Sequence, residues 1–168
     1  VEKKGFADLI EACRLLRDRG RVFVCDIIGG GPLEAVLQAQ IDRAKLEASV
    51  RLLGPRSQNE VRHHLAAAQV FVLACVPEVG GGSDNLPTVI MEAMVSGVPV
   101  VSTQVAGVPE MILNGKDGIL VPPGNPAALA EEVEKLLGNA TRAESLGLRG
   151  HEAAVEKFAI DKTTSILK

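Results

Sequence analysis

Short apolar runs rich in Val and Ile recur along the chain. Each is followed by a glycine turn or a polar cap, and then by a stretch whose apolar residues fall at helical spacing. The runs Arg21 to Ile28, Ser49 to Leu53, Val70 to Cys75, Val98 to Ser102 and Ile119 to Val121 read as buried strands. Helices are expected over Phe6 to Leu16, Leu33 to about Leu46, Ser57 to about Ala67, Pro87 to Gly97, a short turn after Gly107, and Pro126 to Leu137. Two further helices, Arg142 to Lys157 and Ile160 to Lys168, finish the chain. Buried strands that alternate with helices have few ways to hide both faces. The expected fold class is α/β, a parallel sheet covered by helices on both faces and joined by right-handed crossovers.

With 168 residues, 46% of them hydrophobic, the chain has the size of one compact domain. A net charge of −3 without a basic stripe argues against a nucleic-acid partner. Trp and Tyr are absent and only four Phe occur, so the chain lacks the aromatic platforms of a single-strand binder or a lectin. Cys13, Cys25 and Cys75 stand at unrelated spacings in apolar surroundings, which fits free thiols in a reducing, cytoplasmic setting. No apolar run approaches the length of about 18 residues that suggests a membrane span, although a complete protein can still touch a membrane peripherally. His63 and His64 are adjacent and point about 100° apart on a helix, and His151 is alone, so no metal site is expected.

Two glycine-rich turns carry the chemistry. Gly29-Gly30-Gly31-Pro32 links a strand to a helix, but Glu34 stands where a dinucleotide fingerprint needs its third glycine, and the next strand ends in Gly54-Pro55-Arg56 rather than an acid. A nicotinamide site is therefore not expected. The second turn, Gly80 to Gly82, runs through Ser83, Asp84, Asn85 and Leu86 into a helix with Pro87 at its first position and Glu92 about one turn in. Free amides near Thr88 and Val89, with the helix dipole, favour an anion such as a phosphate. Asp84 and Glu92 can bracket a ligand that carries phosphates and hydroxyls. In open α/β sheets such loops lie at the carboxyl ends of the strands, where ligands bind.

The run Asp84 to Glu92, then Ala93-Met94, Gly97-Val98-Pro99-Val100-Val101 and Gly107-Val108-Pro109-Glu110, resembles the donor-binding half of the retaining GT-B glycosyltransferases related to glycogen and sucrose synthases. The resemblance covers essentially the whole chain and implies a Rossmann-like domain, one half of a GT-B fold. It implies that Glu92 holds the ribose, that the donor-binding run Leu86, Pro87, Thr88 and Val89 holds the diphosphate through the free amides at the helix start around Thr88 and Val89, and that Lys4, just before Gly5, contacts the same diphosphate. Asp84 stands where the family has its first, sugar-contacting Glu, and Asn85 where Gly is usual. Gly29, Gly30 and Gly31 are expected to line the donor cleft, and the backbone around Arg51 and Leu52 is a candidate for reading the base.

The same resemblance implies a nucleoside-diphosphate sugar as donor, no metal or other cofactor, and an N-terminal acceptor domain with a first strand preceding residue 1. Residues 1 to 168 are thus expected to be a single C-terminal nucleotide-sugar-binding domain. Its terminal helix, 160 to 168, is expected to cross to the acceptor domain. The expected activity is sugar transfer to a polysaccharide, glycolipid or other acceptor by the full-length protein. The alternative is a catalytically inactive module that binds or senses a sugar nucleotide.

Overall fold

The computed structural model describes residues 4–77 and 88–166, with side chains through Lys157. Helices and strands alternate as α1 (Phe6–Asp18), β1 (Cys25–Ile28), α2 (Glu34–Arg43), β2 (Val50–Gly54), α3 (Gln58–Ala67), β3 (Phe71–Leu73) and α4 (Thr88–Val95). They continue as β4 (Val100–Thr103), α5 (Val108–Met111), β5 (Ile119–Val121), α6 (Pro126–Leu137) and α7 (Ala140–Ile166). All strand pairs within the sheets are parallel, as the α/β pattern requires. The strands form two sets, β1 beside β2 and β3-β4-β5, rather than one continuous sheet.

Strand periodicity divides the interior in two. Val101, Ile119 and Val121 face a core built with Leu9, Ile10 and Leu16 of α1 and with Leu129, Val133 and Leu136 of α6. That core also takes in Ile27 of β1 and Val50 of β2, so the two sets of strands share one apolar layer. Val100 and Leu120, one residue out of phase, face a second core with Ile90, Ala93 and Met94 of α4, Leu65 of α3 and Ala154 of α7. The three-stranded set is therefore covered on both sides.

Local signals set the helix ends. Ser57 and Glu60 form a reciprocal capping box at α3, and Asn125 caps α6 with Pro126 at its first position. Helix α4 closes with Gly97 at a φ of 73°, its N–H bonded to Met94 O and that of Val98 to Ala93 O. This closing pattern needs a left-handed residue, which glycine supplies without strain.

Two expectations are corrected. The strand expected from Arg21 begins at Cys25, because the backbone of β2 starts only at Val50 and its first bond reaches Cys25 from Ser49 O. Val22 and Val24, with no neighbouring strand to pair with among the described residues, are exposed. At the other end, the two expected helices are one, α7, running unbroken from Ala140 to Ile166. No Pro or Gly separates Lys157 from Ile160, so nothing in the local sequence stops the helix before 160 to 168.

Candidate functional site

The carboxyl ends of the strands and the starts of the helices meet on one side of the molecule. There Gly5, the residue before α1, has a φ of 61° and lies against the backbone of Ala74, just past β3. A Cβ on Gly5 would overlap the Ala74 carbonyl oxygen and stand 2.6 Å from its carbonyl carbon, so only glycine admits this approach. The approach carries the neighbouring Lys4 to the end of β3. Burial raises the Cys75 thiol above its ordinary value, and the Lys4 ammonium partly offsets this through its charge. Lys4 itself is exposed.

No side chain caps the start of α1 or α2; at α2 the first amide, Glu34 N–H, already donates to Gly31 O at 3.2 Å, so the uncapped start of α1 is the freer of the two for solvent or a ligand. Asp8, in the first turn of α1, has its carboxyl pushed upward by burial. The Gly29–Gly31 turn is fixed by a bond from Gly29 N–H to Gly54 O at 3.0 Å, and Gly30 packs against the Pro55 ring. Between this turn and α1 lies an open, largely apolar depression, with Phe6, Ile27, Leu33, Leu37 and Leu52 on its walls and Glu34 among its lining residues.

Two hydroxyls brace the end of β3. Ser102 Oγ donates to Leu73 O at 2.7 Å and Thr103 Oγ1 donates to Cys75 O at 2.6 Å. The paired register of β3 and β4 ends at Leu73 and Ser102, so Thr103 continues with a side chain what the ladder no longer supplies. These bonds hold the chain in place where it leaves the sheet.

The structure thus brings Lys4, Gly29, Gly30, Gly31 and Leu52 to the same side, with Phe6 between them. Thr88 is exposed at the start of α4, Val89 is half-buried, and Glu92 is half-buried one turn on, above Thr88 on the same stripe of the helix. Asp84, Asn85, Leu86 and Pro87 lie outside the described residues. Arg51 departs from the rest. Its guanidinium donates to Asp26 at 2.6 and 2.9 Å, beside His64, while Leu52 turns to the opposite face and into the depression. Strand alternation explains the split, and it leaves only the Arg51 backbone for a base.

Sequence reasoning missed Phe6, which reads as the first core residue of α1, and Thr103, an ordinary strand residue by pattern. It placed Gly5 only as the residue that follows Lys4. The spacing Lys4-Gly5-Phe6 directly before a helix was the available signal for the first and last of these; nothing local marks Thr103. Among the described residues, no group of three or more His, Cys, Asp or Glu could hold a metal ion, and no helix is long and apolar enough to cross a membrane.

Fold and cleft together define a class: an open, parallel α/β protein with its crevice at the carboxyl ends of the strands. The chain belongs to the family described as glycosyl transferases group 1, which matches residues 1–139. The amylovoran biosynthesis glycosyltransferase AmsK of Erwinia amylovora is 42% identical over 130 residues, 77% of this chain and 32% of that protein. The chain therefore spans about a third of that relative's length. Its structural neighbours are GT-B glycosyltransferases. Anabaena Alr3699/HepE, crystallised with UDP-glucose, superposes with a TM-score of 0.80 at 26% identity, covering 98% of this chain and 46% of that one. The C-terminal domain of a glycosyl transferase group 1 protein, LpcC of Francisella tularensis, superposes with a TM-score of 0.79 at 23% identity, covering 94% of this chain and 81% of that one.

Proposed function

We propose that this chain is the C-terminal, donor-binding domain of a retaining glycosyltransferase that moves a sugar from a nucleoside-diphosphate sugar to a polysaccharide, glycolipid or other acceptor held by an N-terminal domain. The observation that carries the reading is the meeting of Lys4, the uncapped start of α1 and the pinned Gly29–Gly31 turn at the strand ends. Support also comes from the UDP-glucose complex of the Anabaena neighbour, from the neighbour solved as a C-terminal domain, and from the polysaccharide role in the name of the Erwinia relative.

In this reading the departing diphosphate accumulates negative charge, and the Lys4 ammonium with the amides at Thr88 and Val89 lowers the barrier by meeting that charge. Glu92 accepts hydrogen bonds from the ribose hydroxyls. The sugar contact is assigned to Asp84, from the family position it occupies, and no metal is assigned a step. The Gly29–Gly31 turn and Leu52 close the nucleoside end of the cleft.

The test is nucleoside-diphosphate release by the full-length protein from a panel of donors, with titration calorimetry of the matching diphosphate. Glu92→Ala should weaken diphosphate binding by about 1–3 kcal/mol, the usual cost of leaving polar partners unpaired. Unchanged affinity would remove Glu92 from the site. Tight donor binding without turnover on any acceptor would favour an inactive sugar-nucleotide module, a reading motivated by Asp84 and Asn85 standing where the resembled family has Glu and Gly.

A further inference from the structure

Helix α4 ends in a way that its own segment does not complete. Its last four carbonyls, those of Glu92, Ala93, Met94 and Val95, have no N–H to meet inside the helix. The chain that follows satisfies three of them. Ser96 N–H donates to Glu92 O at 3.1 Å, Val98 N–H to Ala93 O at 3.2 Å and Gly97 N–H to Met94 O at 2.9 Å. Ser96 Oγ adds a second bond to Glu92 O at 2.8 Å. The fourth, Val95 O, is met by Nδ1 of His151, 2.7 Å away and 56 residues further along the chain. A carbonyl oxygen only accepts, so Nδ1 carries the hydrogen.

The packing of α7 brings His151 there. Gly147, Gly150, His151 and Ala154 stand at i, i+3, i+4 and i+7 and form one stripe of that helix. A Cβ on Gly147 would overlap Gly97 O, Gly150 lies against Asp117 O and Met94 Cγ, and Ala154 is buried in the core that holds Ile90, Ala93 and Met94. Small residues draw the two helices together, and His151 is the member of the stripe with a side-chain donor to offer.

We propose that His151 is a positioning residue for nucleotide binding, which holds the last turn of α4 and through it Glu92, a role that rests on the reading of Glu92 as the ribose ligand. The helix has only eight residues, so Glu92 already lies in its last turn. With Val95 O left without a partner that turn frays, and the backbone that aims the Glu92 carboxylate loses its fixed direction. The imidazole also meets the partial negative charge of a helix end, which adds to the hydrogen bond.

The experiment measures binding of uridine, guanosine and adenosine diphosphates to the full-length protein by titration calorimetry and carries the tightest of the three forward to the variants. His151→Phe keeps a ring without a donor and should raise Kd by about three- to tenfold, the weight of one hydrogen bond, and by no more than Glu92→Ala does. His151→Asn, whose amide nitrogen takes the place of Nδ1, should bind within about twofold of the wild type. In the Glu92→Ala background, His151→Phe should change nothing further, because the two residues act as one unit. Arg149→Met removes a different tie of α7, to Lys116 O, and should leave Kd unchanged. If His151→Phe does not fold, His151→Leu takes its place in the same cycle. Wild-type affinity in His151→Phe, losses that add in the double variant, no rescue by Asn, or an equal loss in Arg149→Met would overturn the positioning role and leave Glu92 at the nucleotide. A wild type that binds none of the three diphosphates, or unchanged affinity in Glu92→Ala, would overturn the proposed function with it.

Discussion

Helix α7 contains a sharp conflict between local preference and tertiary fit at Gly147. Replacing glycine by alanine inside a helix is normally favourable by about 1 kcal/mol, because glycine has the most backbone freedom to lose. A Cβ at Gly147, however, would overlap the carbonyl oxygen of Gly97 and stand 3.1 Å from its carbonyl carbon and 3.3 Å from Pro99 Cδ. All three atoms belong to the turn between α4 and β4 and none is a flexible side-chain tip. Helix α7 must therefore move away from α4, opening the core that holds Met94 and Ala154.

Overpacking against fixed atoms costs typically 1–3 kcal/mol, and backbone on both sides puts this case at the upper end, about 3 kcal/mol. Subtracting the helix gain leaves Gly147→Ala destabilised by about 2 kcal/mol, a fall in Tm of roughly 4–8 °C for a chain of this size. Gly150, three residues on, is the internal control. A Cβ there would stand 2.9 Å from Asp117 O, also backbone, and 3.9 Å from Met94 Cγ, so the overlap is smaller though still present and Gly150→Ala should cost less than Gly147→Ala. Urea unfolding of the three proteins gives both differences. If Gly147→Ala matched or exceeded the wild type, or cost less than Gly150→Ala, the close contact of α7 with the Gly97 turn would be refuted.

The remaining predictions concern the site and the helix caps. Thr103→Val leaves the Cys75 carbonyl without its hydroxyl partner and should cost about 1–3 kcal/mol in chemical denaturation, while Thr103→Ser should recover most of it. Lys4→Ala should weaken nucleoside-diphosphate binding by calorimetry far more than it weakens the bare nucleoside, and equal effects would contradict a phosphate role. In the capping box of α3, the Ser57 backbone N–H, then its hydroxyl, hold the Glu60 carboxyl below its ordinary 4.5. A carboxyl depressed in the folded state stabilises above its unfolded value, and the contribution disappears as pH falls from about 4.5 through the lower folded value. Unfolding followed over that range should show a smaller loss on acidification in Ser57→Ala than in the wild type, and parallel curves would sink the linkage.

Much of the fold could be read in advance because it rests on local patterns. The Val and Ile runs at Val100-Val101 and Ile119 to Val121, the Ser57–Glu60 box and the Asn125–Pro126 cap each act over a few residues, and each does in the structure what its spacing implies. Pattern misled where the outcome depends on a neighbour. Arg21 to Val24 has strand composition but no β2 backbone to pair with, and the break expected before Ile160 had no residue to enforce it.

The candidate site divides along the same line. Glycine turns and an acid near a helix start are visible in one dimension because they reflect the conformation and charge of their own segments. Which of them face one another is not. Arg51 and Leu52 are adjacent in sequence, yet the pleat sends one to Asp26 and the other into the depression beside Phe6. Gly5 is required by Ala74, and Thr103 is engaged by the carbonyl of Cys75, partners far away along the chain. The sequence by itself determined the alternation of elements, their caps and the family to which the chain is similar, since those rest on short-range periodicity and on ordered motifs. Only the packing of strands and helices decided which side chains share a face and which glycines are irreplaceable, because close approach between distant backbones exists only once the chain is folded.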